Sequence, residues 1–241
     1  MRTALWLAAL ATGALACASG AEAATQRKPA TARKAPAGKD WRRTVSLTPE
    51  GGFRMGNPAA KVKLVEYGSM TCPHCAAFSR EAGPALVSSY VRTGRVSYEF
   101  RNFVLNGLDV TATLLARCGG PVRFFALTDR FYATQSEWVA KLGALTQAQK
   151  DELKALPEGQ RLGRLADLSG LTQLAAQGGV PAARGKQCLA DEAALNRLGQ
   201  MAETAASTHQ VQGTPTFLVN GAKVPAADWA ELEPHIRNAG G

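Results

Sequence analysis

Along KVKLVEYGS, residues 61–69, the β-favouring residues Val62, Leu64, Val65 and Tyr67 form a run that stops at Gly68-Ser69 and predicts a buried strand. Pro73 then suits the first turn of a helix, and FSREAGPALVSSYVRTG repeats apolar residues at helical spacing until Gly94 ends it. Gly83-Pro84 predicts a kink within that helix. Residues 95–105, RVSYEFRNFVL, return to period two through Val96, Tyr98 and Phe100. Strand, helix, strand in this order predicts a parallel βαβ unit.

From residue 107 to residue 209 the period changes. Leu108 to Cys118, Phe124 to Leu142, Gln147 to Leu156 and Ala190 to Thr208 space Leu, Ala, Val and Phe by three and four, with breaks at Gly and Pro. This predicts an all-helical block of about a hundred residues. TPTFLVNGAKV then predicts two short strands around an Asn220-Gly221 turn, and Trp229 to Arg237 a closing helix. The expected architecture is α/β, with residues 44–106 and 210–241 forming one sheet domain interrupted by a helical insertion at 107–209. No internal repeat is visible.

The first residues read differently. Arg2, the apolar run ALWLAALATGALACA and the small-residue sequence Ala21-Glu22-Ala23 predict a secretory signal peptide over residues 1–23, whose removal takes Cys17 with it. An uncleaved anchor or a lipid-modified Cys17 are the alternatives. Net charge is +9, but residues 1–43 hold eight of the 28 Lys and Arg and two of the 19 acids. Twenty basic residues against seventeen acids remain, so the folded part is only about +3. The excess lies in residues 24–43, rich in Pro, Ala and Lys, which read as a flexible basic tether. Nothing here supports nucleic-acid binding.

SMTCPHCAAF, residues 69–78, sets Cys72 and Cys75 two residues apart with Pro73 and His74 between them. That spacing suits tetrahedral zinc and a redox disulfide equally. A structural zinc site needs a second short-spaced pair of ligands, and none follows: Cys118 and Cys188 are isolated, and His209 and His235 are far apart in sequence. Export also favours the redox reading, because disulfides persist outside the reducing cytosol.

A strand ending at TCPHC on a helix N-terminus, with VEYGSMTC placing Glu66 six residues before Cys72, a helical insertion, and GTPTF with Pro215, resembles the DsbA family of secreted thiol-disulfide oxidoreductases. The resemblance covers nearly all of the chain after the signal segment. It implies a thioredoxin-like fold with an inserted all-helical domain, no cofactor beyond the Cys72–Cys75 disulfide itself, and no metal.

It also implies roles for individual residues. Cys72, capping a helix, faces unpaired N–H groups and the positive end of the helix dipole, and His74 adds a nearby imidazole; all three favour a thiolate. Stabilising the thiolate stabilises the reduced enzyme, which makes its disulfide an oxidant. A substrate thiolate attacks Cys72, expelling Cys75, and the substrate's second thiol then releases Cys72. The resemblance makes Glu66 a buried acid that passes protons to and from Cys75. It makes Pro215 cis, setting the backbone of Thr214 beside the disulfide to pair with an extended substrate. Thr214 departs from the Val of the best known oxidases, and Thr at this position is common in isomerases and in other branches of the family. Cys118 and Cys188 are expected to bridge two helices, which would stabilise by up to about 4 kcal/mol in the chain-entropy view.

Three functions compete at this level. One is a periplasmic monomer that donates its disulfide to exported cysteine-containing polypeptides and is recharged by a membrane quinone-linked partner resembling DsbB. Another is an isomerase or reductase of the same fold, kept reduced by a membrane electron donor. The third is a thiol-bearing metal carrier or holdase without turnover.

Overall fold

In a computed structural model, which describes residues 39–241, a six-stranded mixed sheet organises the chain. The expected signal peptide, Cys17 and most of the expected tether lie outside the described residues. The strands are β1 (Val45–Leu47), β2 (Phe53–Gly56), β3 (Val62–Gly68), β4 (Val96–Asn102), β5 (Thr216–Val219) and β6 (Ala222–Val224), in the spatial order β1-β2-β4-β3-β5-β6. β3 and β4 run parallel, and every other neighbouring pair is antiparallel. Parallel neighbours need a crossover, supplied by α1 (Pro73–Ala85) and the π-helical turn Leu86–Val91.

The remaining helices are α2 (Gly107–Cys118), α3 (Gly120–Ala133), α4 (Gln135–Gly143), α5 (Gln147–Ala155), α6 (Glu158–Ser169), α7 (Leu171–Gln177), α8 (Ala182–Leu189), α9 (Glu192–His209) and α10 (Trp229–Asn238). α2 through α9 lie between β4 and β5, so the fold is a thioredoxin-like sheet domain carrying an all-helical insertion.

Alternation along β3 divides the core. Val62 and Leu64 pack with Phe78, Leu86, Phe217 and Ile236 beneath α1 and α10. Val65 and Tyr67 point the other way, onto Ala205 of α9 and Val211. A third cluster fills the insertion with Phe124, Phe131, Trp138 and Leu171, and it takes in Met70, Cys72 and Cys75. Large side chains buried so fully contribute roughly 2–3 kcal/mol each. The cysteine pair is thus packed against the insertion's core.

Four local readings change. β1 and β2 were not anticipated: they are three and four residues long, too short to establish a period. Trp41–Arg43, expected within the tether, form a 3-10 turn capped by the Asp40 side chain. The single helix expected over Phe124–Leu142 is two, because Thr134 leaves helical geometry at φ −117° and ψ 18°. Helix α1 continues through Gly83 and Pro84, and the irregularity appears just after them as the π turn, where Arg92 N–H reaches the Val87 carbonyl.

Candidate active site

Chain entry into the site is set at the end of β3. A side chain at Gly68 would meet the Phe100 ring at 2.5 Å, so only Gly lets the strand pass β4 here. Ser69, Met70 and Thr71 turn the chain, and Cys72 becomes the N-cap of α1 in extended geometry, φ −78° and ψ 120°, with Pro73 at the first helical position. The Cys72 sulfur accepts from the Cys75 backbone N–H at 3.4 Å, as a capping side chain does. Both cysteines are free thiols in this structure.

Burial and hydrogen bonding drive the two sulfurs apart. The Cys72 thiol is held down to a pKa of about 5, chiefly by a hydrogen bond from the Cys75 thiol, which outweighs the cost of burial; the Thr214 side chain and the backbone N–H groups of Cys75 and His74 lower it further. In the thiol form Cys72 donates to the Thr214 carbonyl at 3.2 Å. The Thr214 hydroxyl is buried and has no hydrogen-bond partner while Cys72 is a thiol. Cys75 is fully buried and its pKa is pushed well above the ordinary value by burial, by its role as donor to Cys72 and by the nearby Glu66 carboxyl. One sulfur is therefore an anion at neutral pH and the other keeps its proton.

Glu66 sits in mid-β3, opposite Phe100 on one side and Phe217 on the other, and is 1% exposed. Burial raises its pKa to about 8, against the pull of a 2.6 Å hydrogen bond from the Tyr98 hydroxyl. At neutral pH this carboxyl holds a proton. It sits on the face of β3 that also carries Val62 and Leu64, beneath α1, the helix that holds Cys75.

His74 is exposed, and it contributes to Cys72 through its main-chain N–H. The Thr214–Pro215 peptide bond is cis, and it brings the Thr214 carbonyl to Cys72 across 142 positions of sequence. Cys118 and Cys188 form a disulfide joining α2 to α8, away from the dithiol.

Sequence reasoning missed the residues that hold the turn. Asp109 of α2 is fully buried and accepts from the Ser69 hydroxyl at 2.5 Å, Met70 N–H at 2.8 Å and Leu105 N–H at 2.9 Å. Burial raises its pKa to about 6. Gln135, at the start of α4, donates through Nε2 to the carbonyls of Met70 at 2.8 Å and Cys72 at 2.9 Å. The Tyr132 hydroxyl donates to the Ser69 carbonyl at 3.0 Å. All three belong to the insertion, so the insertion shapes the loop that presents Cys72. In sequence, Asp109 looks like an ordinary first-turn acid and Gln135 like an ordinary helix-start residue; their partners are about 40 and 65 positions away.

Beside Cys72 lies a cleft of about 480 Å3 whose walls include Leu105, Leu108, Val139, Leu142 and Thr214. Leu105 is half exposed there. Among the described residues no group of three or more His, Cys, Asp or Glu is arranged to hold a metal ion. A thiolate beside an open cleft paired with a buried protonated thiol can exchange disulfides: the anion leaves or attacks readily, and its partner resolves the mixed disulfide.

The thioredoxin family model matches residues 48–238. Among solved structures, the chain is similar to a protein-disulfide isomerase from Novosphingobium aromaticivorans, with 33% identity and a TM-score of 0.73 over 78% of this chain and 97% of that one. It is also similar to Wolbachia pipientis alpha-DsbA1, with 21% identity and a TM-score of 0.64 over 80% of this chain and 92% of that one, a likeness of fold. A Rickettsia felis protein provisionally described as a protein-disulfide oxidoreductase is 30% identical over 168 residues, 69% of this chain and 52% of its own length. The chain thus spans about half the length of the curated relatives it matches.

Proposed function

This chain belongs to the thioredoxin family, and from that premise we propose that it is a protein-disulfide oxidoreductase that donates its Cys72–Cys75 disulfide to cysteine-containing polypeptides. The observation that carries this reading is the separation of the two sulfurs, Cys72 at a pKa of about 5 and Cys75 well above its ordinary value. A substrate thiolate attacks the Cys72 sulfur; the disulfide bond breaks and its electron pair goes to Cys75, which takes a proton, with Glu66 as the nearby source. The substrate's second thiolate then attacks its own sulfur in the mixed disulfide and expels Cys72 as a thiolate. The substrate is oxidised by two electrons and the enzyme reduced by two. The low pKa makes Cys72 a good leaving group in this second step.

The signal-like residues 1–23 support action outside the cytosol, in the periplasm. There, exported polypeptides are the clients, and a membrane quinone-linked protein resembling DsbB is the reoxidant. The cleft lined by Leu105 and Val139, continuous with Cys72 and Thr214, offers an apolar surface for an unfolded segment.

The second reading is an isomerase or reductase kept reduced in the same compartment. The description of the Novosphingobium structure favours it, as does Thr before the cis proline. One experiment separates the two: free thiols are trapped in intact cells by acid quench and mass-tagging, and the redox state of Cys72 and Cys75 is read on a gel. A mostly oxidised pair is expected. A mostly reduced pair transfers the assignment to the isomerase or reductase.

A further inference from the structure

Apart from the client cleft lies a second, larger cavity, which the exchange chemistry meets only at Glu66. It encloses about 590 Å3 between α1, the π turn and α3, floored by the sheet through Met55, Glu66 and Tyr98. That volume is in the range of sites for compact organic ligands. Its apolar walls include Phe78, Leu86, Phe125 and Tyr132. The π turn that shapes one rim is a helix irregularity of the kind found at functional sites.

Of the polar and charged residues that line it, two are buried. Thr128 is 4% exposed, and its hydroxyl finds no hydrogen-bond partner among the described residues, neither a side chain nor a carbonyl of its own helix. A buried hydroxyl left unpaired costs roughly 1–3 kcal/mol, so a partner in the cavity would recover stability. Glu66 is the other. One of its carboxyl oxygens is taken by Tyr98, and the group holds its proton at neutral pH, so it presents a neutral donor and acceptor. The charged groups of the lining are Arg42, Arg80 and Asp129; Arg42 is paired to Asp40, and Asp129, which accepts from the Ser79 hydroxyl, is near enough to Glu66 to help raise its pKa.

We propose that this cavity is a binding site for a neutral aromatic molecule bearing a hydroxyl or carbonyl, with its ring against Phe78, Phe125 and Tyr132 and its oxygen bonded to Thr128 and Glu66. An anionic head group would be stripped of water beside the Glu66 and Asp129 carboxyls, so anions are disfavoured there. The site is separate from the cleft beside Cys72, and the two share no lining residue.

The test uses the full chain and 2-naphthol as probe, with naphthalene and 2-naphthoate as the apolar and anionic comparisons. Binding is followed by calorimetry and by amide chemical shifts. Saturable one-to-one binding of 2-naphthol is expected, with shifts on α1 and α3 and at least tenfold weaker binding of 2-naphthoate. Gly83→Leu places a side chain where nothing stands within 4 Å of the new Cβ, on a residue lining the cavity, and should reduce binding at least tenfold without unfolding the protein. Thr128→Val removes only the unpaired hydroxyl, so the variant should be as stable as the parent or more so and yet bind several-fold more weakly. A merely structural threonine would not separate these two readouts. Absence of binding, shifts confined to the residues around Leu105 and Val139, or binding that both variants leave unchanged would overturn the proposal, as would a preference for naphthoate.

Discussion

The sulfur of Cys72 lies 3.2 Å from the carbonyl oxygen of Thr214, whose peptide bond to Pro215 is cis. A backbone acceptor this close leaves the thiol one place to donate its proton. The thiolate, by contrast, gathers donors from the Cys75 thiol, from the backbone N–H groups of Cys75 and His74, and from the Thr214 side chain. The balance falls to the anion.

Titration of the reduced protein should therefore show thiolate absorbance at 240 nm rising with a midpoint near pH 5, from one sulfur only. Iodoacetamide at pH 6 should label Cys72 and leave the buried Cys75 untouched, as read by peptide mass spectrometry. A midpoint near the ordinary thiol value of 9.0 would remove the physical cause of the proposed leaving-group behaviour.

The same shift predicts how stability depends on redox state. A depressed pKa stabilises the folded dithiol form above the unfolded value, and that stabilisation is lost as pH falls from 9.0 through about 5. The disulfide form has no such group. Reduced protein should therefore gain melting temperature over oxidised protein as pH rises across this window. The Cys72 thiolate also raises the pKa of Glu66, which opposes the trend, so the slope is cleanest in Glu66→Gln.

Glu66 itself works in the opposite direction. Its folded pKa of about 8 lies above the ordinary 4.5, so its favourable contribution is complete below pH 4.5 and lost as pH rises through 8. Glu66→Gln, which keeps the shape and carries no charge, should be more stable than the parent at pH 8 by about 4 kcal/mol, and equal to it near pH 4. Urea unfolding at the two pH values checks this. The variant should also slow the release of Cys75 in single-turnover exchange, since the nearby proton source is gone.

Asp109 carries three short hydrogen bonds from the turn before Cys72 and from the start of α2, in the interior. Asp109→Ala leaves buried donors without a partner and should cost about 3 kcal/mol in urea unfolding. Gln135→Leu frees only the Met70 and Cys72 carbonyls. It should cost less stability, while loosening the turn enough to change the rate at which Cys72 is alkylated.

Legibility in the sequence followed the range of the interactions involved. β3, α1, β4, α2 and the Asn220-Gly221 hairpin are written in local periodicity and turn chemistry, and each appears where those signals place it. Gly221 at φ 85° and Asn220 at φ 50° are the turn residues such geometry demands. β1 and β2 were invisible because Phe53–Gly56 gains its strand character from pairing with β4, more than forty residues on, and Val45–Leu47 from pairing with β2 in turn. Cys72 was readable from CPHC, and Glu66 only through the family resemblance that VEYGSMTC carries. Asp109, Gln135 and Tyr132 were not, because their importance lies in what the insertion brings to the Ser69–Cys72 turn. The cavity around Thr128 was unreadable for the same reason.

The Cys118–Cys188 bridge closes a 70-residue separation and ties α2 to α8 within the insertion. Its effect on the unfolded chain is to remove loop freedom, by up to about 4 kcal/mol in the chain-entropy view. The paired variant Cys118→Ala with Cys188→Ala should lower stability by about 2–4 kcal/mol in urea. Because α2 also supplies Asp109, the loss should first appear as faster hydrogen exchange at Ser69–Thr71 and in the first turn of α2. The sulfurs of the bridge make no contact with the dithiol, so the 240 nm midpoint of Cys72 should stay near pH 5 in the folded variant. A stability loss accompanied by a shifted midpoint would mean that the bridge positions the active-site turn as well as the helices.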